Sequence, residues 1–257
     1  MKKIILLAVC TLIAANAFSW NRLGHDASAM IAEKYLTKKA KKNMAKYLEG
    51  HNISWFASYM DYMGYEYKLG LSNDWFDHCV PTTHDFQYAN GDFDNSGISQ
   101  KGDAIMCITK AVDEMKNGGY KALPDSVVNL YLKWLIHFVP DAHCPSHVLP
   151  NDRPGNYLVD IGGGTKKLYH SIWDSVPDVH GTHHWSASEY RDQLTAGLTG
   201  KDIEDIEMDG DILAWVHQNA VDCIISYDIV RPNDKLTDVD CYNATVLADK
   251  QLLRGSI

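Results

Sequence analysis

The chain has 257 residues, 46% of them apolar, and a formal net charge of −9. That length fits one large domain or two small ones, with enough apolar residues to bury a sizeable core. The acidic balance excludes capture of a polyanion by a broad basic surface, so a phosphate-bearing substrate would need positive charge from another source, such as bound divalent metal.

Residues 1–19 stand apart from that core. Lys2 and Lys3 form a charged start, residues 4–15 an apolar run, and Ala17-Phe18-Ser19 a small-x-small cleavage site, the pattern of a secretory signal peptide. The run is shorter than the roughly 20 residues of a bilayer span, and no second candidate follows, so no stable membrane anchor is expected. Cleavage after Ser19 would leave residues 20–257 as a secreted or periplasmic protein beginning at Trp20, and would take the net charge to −11. Cys10 leaves with the signal. Export permits disulfides among Cys79, Cys107, Cys144, Cys223 and Cys241, but an odd number leaves at least one thiol unpaired, and the pairing is not readable.

Helical periodicity dominates the mature chain and predicts one mostly α-helical domain with long loops. Helices are expected over residues 27–36, 53–62, 104–115, 127–138 and 212–229. The clearest stripe is Val127, Leu130, Tyr131, Trp134, Leu135 and Phe138, apolar at i, i+3, i+4 and i+7. Gly118-Gly119 ends the helix before it. The basic run Lys38-Lys39-Ala40-Lys41-Lys42 reads as a solvated helix face. Loops are expected over 64–74, 81–102 and 149–165, the last containing Gly162-Gly163-Gly164, and no run alternates in the manner of a strand.

Chemistry concentrates in the segment 135–147. His137 and Asp141 are four apart on a helix, so both side chains point the same way and continue the buried stripe through Trp134. His147 follows Pro145, where the chain must turn, and can swing back to the same place. This segment alone is either a zinc site, since zinc takes imidazole nitrogen and carboxylate oxygen, or a hydrogen-bonded core pair. His170 and Asp174 repeat the spacing on a second helix. Two such pairs in one exported chain are hard to explain as packing. At the new N-terminus, the free amine of Trp20, whose pKa would be about 7.7, and its carbonyl could chelate a metal together with His25.

Trp20 and His25, His137-x3-Asp141-x5-His147 and His170-x2-Trp173-Asp174 together resemble the zinc-dependent single-strand nucleases of the S1/P1 type, which share their fold with bacterial zinc phospholipase C. The resemblance runs from Trp20 to about Asp174. It implies three zinc ions and nine ligands: Asp61, His78 and His137 on one ion, His147, His170 and Asp174 on a second, and Trp20, His25 and Asp141 on the third. Asp61 is placed by Tyr59-Met60-Asp61, and His78 by a Val two residues later, with His84 as its rival. His143 would orient a ligand; His180, His183 and His184 have no assigned role, and His51 and His217 are structural. Metal-activated water held near Asp61 and Asp141 would attack phosphorus with no covalent nucleophile, leaving 5′-phosphates on single-stranded DNA or RNA, with 3′-nucleotidase activity as a companion.

Several positions depart from that pattern. Gly64 stands where the family carries a phosphate-contacting Arg, and Cys79 and Pro81 where an aromatic stacks on a base and an acidic residue reads it. Pro140 replaces a Gly, Cys144-Pro145-Ser146-His147 replaces Gln-Pro-Leu-His, and Leu168-Tyr169 replaces Asn-Leu. The expected ligands are kept while substrate-contacting residues change, so phosphate-ester hydrolysis is the firmer expectation and nuclease the finer one. A zinc phospholipase C is the alternative; the short Trp-to-His spacing and an Asp rather than a Glu at 174 favour the nuclease. A secreted metal-binding protein without catalysis is the third.

Overall fold

The helical pattern is realised in the computed structural model, which describes residues 20–68, 86–89, 92–93, 104–150, 157–176, 184–206 and 211–257. The first helices are α1 (Arg22–Tyr35), α2 (Lys38–Tyr47), α3 (Tyr59–Lys68), α4 (Ala104–Met115), α5 (Asp125–Asp141) and α6 (Tyr169–Asp174). They are followed by α7 (Ala187–Thr195), α8 (Gly200–Ile206), α9 (Ile212–Cys223), α10 (Ser226–Ile229) and α11 (Asp238–Arg254). Local chemistry starts many of them. The side chains of Asn21, Thr37 and Asp211 each accept a hydrogen bond from a backbone N–H one turn on, and Ser186–Glu189 and Thr237–Asp240 form capping boxes.

Helix α5 organises the interior because three of its faces are buried differently. Tyr131, Trp134 and Phe138 pack with Ile105 and Ile108 of α4 and Val216 of α9. Val128 and Leu132 pack with Ala29, Leu48, Ile53 and Phe56. Full burial of such side chains contributes about 1.5–3 kcal/mol each, which fixes the rotation of the helix. The remaining line, Lys133, His137 and Asp141, is buried as well. A third cluster joins Trp20, Ile31, Tyr169, Trp173, Tyr227 and Leu252, so the start of the described chain, α6 and α11 share one core.

Four expectations need correction. The expected helix over 53–62 is split into a 3-10 turn, Ile53–Phe56, and α3, because the Asn52 side chain caps the turn by accepting from the Trp55 N–H. Helix α3 then runs through Gly64 to Lys68, where a loop was expected. The segment 212–229 is two helices rather than one. Loops 81–102 and 149–165 contain strands: β1 (Phe86–Ala89) pairs with β2 (Asp92–Phe93) and, in parallel, with β3 (Val148–Pro150). Strands β4 (Leu158–Gly162) and β5 (Thr165–Leu168) form an antiparallel hairpin, and Gly162, Gly163 and Gly164 all take the positive φ its tip requires. The hairpin leads straight into α6, whose first N–H, that of Tyr169, donates to the Tyr157 carbonyl at 2.7 Å.

Gly255 closes the packing behind α5. A Cβ there would lie 2.8 Å from Pro140 Cα and 3.3 Å from His143 Nδ1. Gly255→Ala is therefore expected to destabilise by about 1–3 kcal/mol, as overpacking does. An unchanged melting temperature would show that the backbone opens freely there.

Candidate metal centre

Three elements deliver ligand-type side chains to one buried region. Helix α1 supplies His25, the first turn of α3 Asp61, and the last two turns of α5 His137 and Asp141. His25 Nε2 lies 3.3 Å from Asp141 Oδ1 and 3.7 Å from Asp61 Oδ2, and His137 Nε2 lies 3.2 Å from Asp141 Oδ2 and 3.5 Å from Asp61 Oδ1. The two imidazoles stack with centroids 4.2 Å apart. Their Nε2 atoms thus face a pair of carboxylates.

A second group adjoins the first. A short 3-10 turn, Pro145–His147, returns His147 toward α6, where its Nε2 is 3.7 Å from Asp174 Oδ1. His170 Nε2 is 3.1 Å from Asp174 Oδ2, and the two rings stack at 4.8 Å. His147 Nδ1 donates to the Asp141 carbonyl at 3.0 Å, and His137 Nδ1 to the Ala57 carbonyl at 2.7 Å. A carbonyl only accepts, so in both rings Nδ1 carries a proton and Nε2 is the atom turned toward the carboxylates.

Trp20 ties the groups together. Its indole N–H donates to the Pro140 carbonyl at 2.8 Å, beside Asp141, and the Asn21 N–H donates to the Asp174 carbonyl at 2.8 Å. Gly24 permits this approach, since a Cβ there would sit 3.0 Å from Trp20 Cβ. The structure thus brings Trp20, His25, Asp61, His137, Asp141, His147, His170 and Asp174 into one neighbourhood. His78, its rival His84, and the departures at Cys79 and Pro81 lie outside the described residues.

The electrostatics fit groups that could hold a cation. Burial pushes the Asp174 carboxyl well above the usual range, and the nearby charge of Asp61 adds to the shift. Burial and the neighbouring His137 hold the His25 imidazole well below its ordinary value. Burial also opposes charge on His137, but the carboxylates of Asp141 and Asp61 overcome it and raise that ring to about 9. Two stacked imidazoles cannot both be protonated, and the one between two carboxylates takes the proton. His25 Nδ1 and Nε2 and Asp174 Oδ2 are buried with no hydrogen-bond partner among the described residues. Left so, each costs about 1–3 kcal/mol. Two groups, His25–His137–Asp141 and Cys144–His147–Asp174, have ligand atoms within 4.8 Å of one another and could each hold a metal ion. The donors are imidazole nitrogen, carboxylate oxygen and, in the second group, the Cys144 sulfur, a set that suits zinc.

Two participants and one neighbouring residue escape a motif-based reading. The Ser146 hydroxyl donates to Asp174 Oδ1 at 3.3 Å, and the Cys144 thiol, its ionisation opposed by burial, lies 3.8 Å from the same oxygen. Both stand where the sequence shows only a departure from Gln-Pro-Leu-His. Lys133, one turn before His137, holds its ammonium over the rings of Phe56 and Tyr59 at 4.4 and 4.0 Å; extending the His137–Asp141 line backward by four residues would have found it. His143 was expected to orient a ligand, and its described contacts are these. Its Nδ1 bonds the Val139 carbonyl at 2.8 Å and its ring leans on Trp215, so it braces α5 against α9. His51 stacks on Trp55, as a structural residue would.

The family model of the S1/P1 nucleases matches residues 20–257. A search of curated proteins returned no match to the chain. Among the described residues no helix is long and apolar enough to cross a membrane. The family match spans every element that contributes to the buried His and Asp groups, and the chain belongs to the S1/P1 nuclease family.

Proposed function

We propose that the mature protein is an exported zinc-dependent phosphodiesterase that cuts single-stranded nucleic acid and leaves 5′-phosphates, with 3′-nucleotidase activity beside it. The observation that carries this reading is the convergence of His25, His137, His147 and His170 on Asp61, Asp141 and Asp174 in two adjoining buried groups. The assignment of Trp20 and these seven side chains as ligands, with His78 completing the set, is part of the proposal, as is export after cleavage at Ser19. That the family match starts at Trp20 supports the boundary.

When bound, zinc supplies Lewis-acid activation of water to a pKa of about 7 and charge compensation for phosphate. The chain does the rest. The Ala57 and Asp141 carbonyls fix His137 and His147 in the tautomer that aims Nε2 inward. Asp141 spans His25 and His137, so one carboxylate sets the separation of two imidazoles. Burial excludes competing water from these donors. An acidic protein otherwise repels a polyanion, and cations held here would reverse the field where phosphate arrives.

The purified zinc-loaded mature protein should cleave single-stranded DNA or RNA and leave phosphatidylcholine intact, and a chelator should abolish the cleavage. Hydrolysis of the lipid alone would assign a phospholipase C, and no hydrolysis of either a metal-binding protein. A coordinated imidazole must be neutral, so protons compete with metal. In the metal-free site His137 is raised to about 9, so apparent metal affinity should fall as pH drops through that value, and activity should be lost as metal is released. Ser146→Ala removes a hydroxyl that orients Asp174 and is expected to weaken metal affinity about 10- to 100-fold, measurable by competition with a chromogenic chelator.

A further inference from the structure

Cys144 is fully buried and forms no disulfide among the described residues. It follows α5 and opens the turn that returns His147. The Cys144 N–H donates to the Asp141 carbonyl at 2.9 Å, and the Cys144 carbonyl accepts from the His147 N–H at 3.0 Å. Residues three apart on such a tight turn present their side chains the same way. Here both reach one oxygen, Asp174 Oδ1, with Cys144 Sγ at 3.8 Å and His147 Nε2 at 3.7 Å. The three ligand atoms of this group lie within 4.8 Å of one another.

The distances suit an ion shared by all three better than a hydrogen-bonded thiol. A thiol is a weak donor, and Asp174 Oδ1 already receives the Ser146 hydroxyl at 3.3 Å. Zinc bonds of about 2.3 Å to sulfur and about 2.0–2.2 Å to nitrogen or oxygen, at tetrahedral angles, set sulfur about 3.5–3.7 Å from oxygen and nitrogen about 3.3–3.5 Å from oxygen. The observed separations need only a small contraction onto the ion.

A second observation points to a cation at the same place. Asp174 is buried, and its Oδ2, 3.1 Å from His170 Nε2, has no hydrogen-bond partner among the described residues. A buried carboxylate costs free energy unless something of opposite charge holds it. The Gln that the family carries at this position offers amide hydrogen bonds, whereas the sulfur found in this chain is a soft donor that zinc accepts.

We propose that Cys144 Sγ is itself a metal ligand, binding the ion of the second group together with His147 Nε2 and Asp174 Oδ1. Binding sends the thiol proton to solvent and oxidises nothing. The sulfur makes this group softer than the one around Asp141, whose donors are nitrogen and oxygen alone. The inference rests on the metal-centre reading of these residues and adds a donor to the set that the family resemblance implies.

The test is X-ray absorption at the zinc edge on the zinc-loaded mature protein, with zinc content measured on the same sample. The expected spectrum carries a sulfur shell at about 2.3 Å beside a nitrogen and oxygen shell at about 2.0–2.1 Å, amounting to about one sulfur per chain. Cys144→Ser should lose the sulfur shell. Cys79→Ser, next in sequence to the expected ligand His78, and Cys241→Ser should keep it. A thiol that only orients Asp174 would alter zinc affinity without producing any sulfur shell. Zinc-loaded wild type lacking the shell therefore overturns the inference, as does a shell lost only in Cys79→Ser. Should Cys144→Ser fail to fold, zinc-edge anomalous density in wild type decides: an ion at bonding distance from Cys144 Sγ supports the assignment, and none there overturns it. Protein that takes up no zinc sinks the metal centre and this ligand together. Cleavage of single-stranded DNA is scored separately. Cleavage without the shell sinks the ligand alone, whereas the shell without cleavage sinks the nuclease reading and leaves Cys144 on the metal.

Discussion

Replacing Asp141 with asparagine is expected to lower kcat by at least about a hundredfold, since metal-borne stabilisation of transition-state charge is worth several kcal/mol and each 1.36 kcal/mol is a factor of ten. Asp141 is fully buried, with Oδ1 3.3 Å from His25 Nε2 and Oδ2 3.2 Å from His137 Nε2. Asparagine keeps the shape but removes the negative charge that faces both imidazoles. The fold should survive, because the carbonyl of residue 141 that accepts from His147 is untouched. Steady-state kinetics with metal content measured on the same sample separate lost metal from lost chemistry. A variant within tenfold of wild type would reduce Asp141 to a packing residue.

Stripping the metal should lower the melting temperature by on the order of 10 °C for each tight site emptied. A ligand present at 1,000 times its Kd stabilises the native state by about 4 kcal/mol, and in a chain of this size each kcal/mol is worth about 2–4 °C. The local cause is visible in the site. Without a cation, Asp61, Asp141 and Asp174 share a low-dielectric region with imidazoles as ion-pair partners, and Asp174 is driven toward its neutral form. Zinc should restore the transition and magnesium should not, because nitrogen donors suit the softer ion. Differential scanning calorimetry of chelated and reloaded protein gives the comparison; coincident transitions would mean that these groups are satisfied within the protein.

The helical architecture and the most distinctive part of the site were legible in the sequence for one reason. His137–Asp141 and His170–Asp174 use the i, i+4 spacing that puts two side chains on one helix face, and His147 follows a proline that forces the chain to turn. Asp61 could be placed only by resemblance, because a single carboxylate on a helix carries no periodic signal; the structure sets it between His25 and His137. Ser146 and Cys144 were visible as departures, yet their contacts with Asp174 span 28 and 30 residues and belong to tertiary packing. Gly64 reads as a breaker because glycine costs about 1 kcal/mol in a helix, a cost that surrounding structure offsets in α3. The hairpin at 158–168 escaped because its apolar residues do not alternate. Val159 is buried while Leu158 is half exposed, and only the glycine tip gave a local signal.

The most direct test is the metal content of the purified mature protein, beginning at Trp20, by inductively coupled plasma mass spectrometry with anomalous diffraction at the zinc edge. The expected result is about three zinc ions per chain, with density between the imidazoles of His25, His137, His147 and His170 and the three carboxylates. Protein that is folded, active on nucleic acid and free of transition metal would contradict the account at its root.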